Sequence, residues 1–154
     1  MILRPFAPSD AEALAVVYRD AVRGIGPQAY TLQQVAAWAS YPSDLEEFRR
    51  LMMLGLTLIA EEEGRPIAFG QLEPSDHLAF LYCTTIRSRC GVGSAIYSAL
   101  ESHAFENGVS EIHTEASRIS RPFFEKHGYV LLEIEHVVRF GAEFERFRMF
   151  KKKG

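Results

Sequence analysis

The stretch His77-Leu78-Ala79-Phe80-Leu81-Tyr82-Cys83-Thr84-Thr85, followed by Ile86 and Arg87-Ser88-Arg89-Cys90-Gly91-Val92-Gly93-Ser94, decides how this 154-residue chain folds. Its first part is bulky and apolar at odd and even positions alike, which reads as a central strand covered on both faces. From Gly91 onward Val92, Ala95, Ile96, Ala99, Leu100 and Ala104 recur at helical spacing, and Asn107-Gly108 marks the helix end. Between strand and helix lie two glycines and two arginines. A buried strand that turns through glycines into a helix start puts free N–H groups and the positive end of a helix dipole in one place. That is a cradle for a phosphate, with a tight turn that holds no ligand as the competing reading. The pattern is neither GxxxxGK[ST] nor GxGxxG, so it is no nucleotide P-loop and no dinucleotide fingerprint.

Outward from this loop, Glu111 to Ser117 reads as the next strand, so residues 77–117 form one βαβ crossover. Ser120 with Pro122 starts a short helix that Gly128 stops, and Tyr129 to Phe140 and Phe144 to Lys151 read as two antiparallel strands. Upstream, Leu56 to Glu61 and Pro66 to Leu72 flank Glu63-Gly64-Arg65 as a hairpin. Before them stand a short strand, Ile2 to Phe6, and three helices opened by Ser9-Asp10-Ala11-Glu12, Thr31-Leu32-Gln33-Gln34 and Ser43-Asp44-Leu45-Glu46. Each opening has the form of a capping box. The expected architecture is an α+β mixed sheet in a single domain over residues 1–154.

Composition excludes several functions. Lys and Arg number 17 against 20 Asp and Glu, a net charge of −3 that argues against a nucleic-acid partner. No apolar run approaches the ~20 residues that span a bilayer, so no membrane partner is expected. The opening Met1-Ile2-Leu3-Arg4-Pro5-Phe6 lacks the basic start and long apolar stretch of a signal peptide, and a cytoplasmic location is expected. Cys83 and Cys90, seven apart, have no zinc spacing, and no metal is expected.

Strand Leu78–Cys83, loop Arg89-Cys90-Gly91-Val92-Gly93 and helix Ser94-Ala95-Ile96 resemble motif A of the GCN5-related N-acetyltransferases. Glu111–Ser117 with Arg121-Pro122-Phe123-Phe124-Glu125-Lys126-His127-Gly128-Tyr129 resembles the same family's motif B. Tyr30–Trp38, Ala116-Ser117 and Arg121–Glu125 are similar to the family's YafP-like bacterial branch. The resemblance covers nearly the whole chain and implies a central, mostly antiparallel sheet with one crossover. It also implies acetyl-CoA as acetyl donor, its pyrophosphate on the backbone of Arg89, Cys90, Gly91, Val92, Gly93 and Ser94. The pantetheine is then expected in a splay between strands 77–85 and 111–117, against backbone near Tyr82, Cys83 and Thr84. Three residues depart from the family pattern: Ser88 for the usual Gln or Arg, Thr85 for a frequent proline, and Ser117 for a frequent Asn that contacts pantetheine.

The same resemblance implies direct attack of an amine on the thioester in a ternary complex, with a central-strand N–H between Tyr82 and Cys83 polarising the carbonyl. His77 falls where the family's histone-modifying members carry their catalytic glutamate, and imidazole titrates near neutrality, so it is the first candidate base. Glu73 and Glu115 are the alternatives. Phe124 stands where many members place an acidic tyrosine, leaving Tyr129, a water, or no acid at all. Tyr30 and Trp38, with Tyr41 nearby, are expected to wall the acceptor site; core packing is the competing role for Trp38. A small amine is the expected acceptor, a homodimer is left open, and an acyl-CoA sensor without turnover is the rival function.

Overall fold

The structure, a computed structural model, describes residues 1–154. Seven strands form one sheet: β1 (Ile2–Pro5), β2 (Leu56–Glu62), β3 (Arg65–Leu72), β4 (His77–Cys83), β5 (Glu111–Ala116), β6 (Val130–Arg139) and β7 (Ala142–Lys152). Their order is β1-β2-β3-β4-β5-β7-β6, and every pairing is antiparallel except β4 with β5. The crossover between those two strands carries α4 (Val92–Glu106). Apolar residues of α1 (Ala11–Ile25), α2 (Leu32–Ala39) and α3 (Leu45–Met52) close one core with Ile59 and Phe69. Those of α4 and α5 (Arg121–Lys126) close the other, with Ala68, Leu78, Ile112 and Met149.

Two features of β4 shape the site. Phe80 pairs with Gln71 and Leu78 with Leu72, so Ala79 is an extra residue, a β-bulge. The bulge resets the strand's alternation. Leu78 packs in the α4 core, whereas Phe80 and Tyr82 pack against α1–α3, and Leu81 and Cys83 return to the α4 side. The second feature is a short parallel pairing. Only His77 with His113 and Leu78 with Thr114 are in register, and the Thr114 hydroxyl donates to the Leu78 carbonyl at 2.9 Å. Past that rung β4 follows β3 while β5 follows β7, and the sheet opens as a V.

Local chemistry fixes the helices that flank the V. Thr31 and Gln34 form the expected capping box, each side chain bonded to the other's N–H at 3.1 and 2.9 Å. At α3 the cap is Asp44, one residue beyond the expected Ser43, accepting from the N–H groups of Glu46 and Glu47. The box expected at Ser9–Glu12 does not form. Asp10 instead accepts from the Ala7 N–H and is held by Arg4, a stronger partner than a backbone donor. Gly70 lets α4 press onto the sheet: a Cβ there would lie 2.9 Å from Ile96 Cγ2 and from Leu100 Cδ1.

Candidate active site

The loop between β4 and α4 holds a row of unused donors. Gly91 adopts φ 81° at the N-cap, no side chain caps the helix, and the first bond to it runs from the Ala95 N–H to the Gly91 carbonyl. The N–H groups of Arg89, Gly91, Val92, Gly93 and Ser94 find no acceptor in the protein. The Cys90 N–H is spent on the Arg87 carbonyl at 3.4 Å, so that residue drops out of the expected set of donors. Five free donors at the head of a helix favour an anion there. Arg89 is exposed and in no ion pair, whereas Arg87 is paired with Glu62. Thr85, where a proline is frequent, has a reason of its own: its N–H donates to the Asp20 carboxylate at 2.7 Å and ties the loop to α1. Proline could not make that bond.

Below the cradle, the V exposes backbone on one edge. The Thr84 N–H donates to the Ile67 carbonyl at 2.9 Å and its carbonyl accepts from Arg87, so the expected role of Thr84 backbone towards a ligand is corrected: both groups are used. Antiparallel alternation then turns the Tyr82 N–H towards β3 as well, and the N–H groups of Leu81 and Cys83 towards the opening. The Cys83 thiol is pushed up to about 11 by burial and stays protonated at neutral pH. A cleft of about 900 Å³ joins cradle, opening and the inner ends of α1–α3.

Against this geometry stand the comparisons with known proteins. The acetyltransferase (GNAT) domain matches residues 27–149 by sequence. The chain belongs to the GNAT acetyltransferase family. It is 27% identical over 148 residues to the uncharacterized N-acetyltransferase YafP of Escherichia coli (strain K12), covering 96% of this chain and 93% of that one. A Rhodopseudomonas palustris crystal structure described as a GCN5-related N-acetyltransferase (aminotransferase, class-II) superposes with a TM-score of 0.95. It is 31% identical, covering 99% of this chain and 95% of that one. The PaiA N-acetyltransferase of Thermoplasma acidophilum, solved in complex with coenzyme A, shares the fold with a TM-score of 0.80 and 19% identity. That match covers 99% of this chain and 98% of the other.

In this GNAT chain the candidate base His77 is not free to accept a proton. Its Nδ1 faces the Glu73 carbonyl at 2.9 Å and its Nε2 faces both Glu115 oxygens at 3.0 Å. Both nitrogens meet acceptors, an arrangement that favours the protonated ring. The Glu115 hydrogen bond raises its pKa, against the opposing effect of burial, and the same bond holds Glu115 below the usual carboxylate range. His77 also lies off the cleft, which Glu73 and Glu115 line. The expectation of a histidine base is therefore corrected to a clamp that bridges β4 and β5 where they pair. Tyr129 is corrected too. It is 3% exposed behind α4, its hydroxyl 3.1 Å from that of Tyr97, and it does not line the cleft.

Phe124 and Ser117 do line the cleft. Ser117 is engaged with Ser120: its N–H donates to the Ser120 hydroxyl at 2.9 Å, and its own oxygen accepts the Ser120 N–H at 3.0 Å. Tyr30 and Trp38 line the far half, their ring centroids 5.5 Å apart, and the Tyr30 hydroxyl accepts the Arg118 N–H at 2.9 Å. Sequence reading missed Gln71 there. Its amide donates to the Leu51 and Leu54 carbonyls, which fixes its orientation, and its Oε1 is buried in the cleft wall without a partner. The signal was a lone polar residue in the apolar run Ile67–Leu72.

Proposed function

We propose that this protein transfers the acetyl group of acetyl-CoA to a primary amine of a small molecule, by direct attack in a ternary complex. One observation carries the reading: the five acceptor-less N–H groups of Arg89, Gly91, Val92, Gly93 and Ser94 lie in the loop and helix head that follow β4, the strand that pairs with β5 over only two residues. The cradle suits a pyrophosphate, and the V offers the Leu81 and Cys83 amides to an extended, amide-bearing arm such as pantetheine. Those amides also suit the oxyanion that develops when a thioester carbonyl is attacked, since fixed donors in a dry cleft need no reorganisation.

An ammonium must lose a proton before it attacks. Glu73 lines the cleft and is in no ion pair, unlike Glu115, which His77 occupies. Glu73 is the base in this reading, reaching the ammonium through a water. No hydroxyl acid stands where Phe124 does, and the leaving thiolate is stable enough to take its proton from solvent. That missing acid also favours a second reading, an acyl-CoA sensor without turnover. Thiol release from acetyl-CoA across an amine panel, with product mass, separates the two. Amine-dependent release with a matching N-acetyl product is expected. Coenzyme A binding without such release for any amine would leave only the sensor.

A further inference from the structure

The acceptor half of the cleft carries charges with nothing to answer them. Arg139, at the end of β6, lines it beside Phe140, with the guanidinium carbon 5.0 Å from that ring's centroid. Aromatic rings then run inward without a gap: Phe140 to Tyr41 at 5.7 Å, Tyr41 to Tyr18 at 5.3 Å, Tyr18 to Tyr82 at 4.6 Å. The other guanidinium on this wall, that of Arg146, is bound to Glu135 at 3.0 Å. Arg139 has neither an ion pair nor a hydrogen bond. Glu73, in no ion pair, and Gln71, whose Oε1 has no partner, line the same cleft. We propose that Arg139 selects amines that also carry an anionic group, a carboxylate above all, held a short apolar body away from the nitrogen to be acetylated.

The exposed guanidinium lies over the Phe140 ring with its N–H groups unpaired, which suits a planar, two-oxygen anion. The Glu73 carboxylate on the cleft wall suits an ammonium, and the aromatic rings suit a compact apolar connector. Burial raises the pKa of Tyr18, Tyr41 and Tyr82, and the charge of Arg139 opposes that rise in all three. Glu47 is the one other charge that acts on Tyr41. The alternative is that Arg139 and Glu47 merely strap the mouth.

The proposal rests on the acetyl-transfer reading, and its test keeps the two apart. Amino acids and their carboxamides, matched in side chain, are assayed as acceptors with wild type, Arg139→Gln, Arg139→Lys and Glu47→Gln. Wild type is expected to favour the free acids at least tenfold in kcat/KM, through KM. Arg139→Gln is expected to erase that preference while leaving the amides within threefold, Arg139→Lys to restore part of it, and Glu47→Gln to leave it intact. Equal loss on acids and amides, or Glu47→Gln matching Arg139→Gln, would overturn the proposal and leave acetyl transfer standing. If no amine is acetylated the catalytic reading fails, and calorimetric titration of N-acetylated amino acids against the coenzyme A-bound protein still decides. Tenfold weaker binding to Arg139→Gln than to wild type upholds the proposal; equal binding ends it.

Discussion

Replacing His77 by glutamine separates a clamp from a base. In the structure the His77 ring joins the Glu73 carbonyl to the Glu115 carboxylate and bridges β4 to β5 where the two strands pair. Hydrogen bonds to charged groups are worth about 1.5–3 kcal/mol when buried. The two side chains are 27% and 33% exposed, so solvent screening brings the pair to about 1–2 kcal/mol. For a domain of this size that is a fall of roughly 3–6 °C in Tm. The sign with pH follows from the two shifts. His77 is held above its ordinary 6.5, so its contribution is whole below that pH and fades as pH climbs through the raised value. Glu115 is held below its ordinary 4.5, so its contribution is whole above that pH and fades as pH falls. The Tm gap between wild type and His77→Gln is therefore widest between those two values and narrows by pH 9. Thermal unfolding across pH 4–9 measures it, beside kcat on the same samples. Turnover within threefold of wild type is expected at pH 8. A hundredfold fall in kcat, with a Tm gap that ignores pH, would refute the clamp and restore the histidine as base.

Glu73→Gln should lower kcat about a hundredfold or more and leave coenzyme A affinity unchanged, as removal of a general base does; parallel kinetics and calorimetry read both. Gly70→Val should cost about 1–3 kcal/mol, because its Cβ alone would stand 2.9 Å from Ile96 and Leu100. Chemical denaturation checks this, and a stability equal to wild type would show that α4 can back away from β3. Thr85→Pro should cost about 1 kcal/mol or more through the lost bond to Asp20. The same variant should loosen the cradle loop, seen as faster amide exchange at Arg87–Gly91.

The order of elements was legible because hydrophobic period changes cleanly along the chain, from 3.6 in Leu14–Val22 to near-continuous apolar residues in Leu78–Cys83. The cradle was legible because Gly91 and Gly93 sit between a buried strand and a helix, where few other residues allow a φ of 81° or a close approach. What stayed hidden depends on partners distant in sequence. The Ala79 bulge exists only in the register with β3, so the face each β4 side chain takes could not be read from β4 alone. The charge state of His77 is set by Glu115, 38 residues away, and the burial of Tyr129 by Tyr97 on α4. Arg87 and Arg89 look alike in sequence, yet Glu62 claims the first and leaves the second exposed. At Ser9–Glu12 a good local capping pattern lost to the ion pair between Arg4 and Asp10.

The central claim is that free amides at the head of α4 bind the phosphates of coenzyme A. Calorimetric titration with coenzyme A and, separately, with pantetheine, which has the same arm without phosphates or adenosine, tests it most directly when adenosine alone is titrated as the control for the nucleoside. Coenzyme A is expected to bind at least a hundredfold more tightly, a difference of about 2.7 kcal/mol carried by charge-assisted hydrogen bonds to the cradle. Equal affinities, or no binding of coenzyme A, would contradict the account.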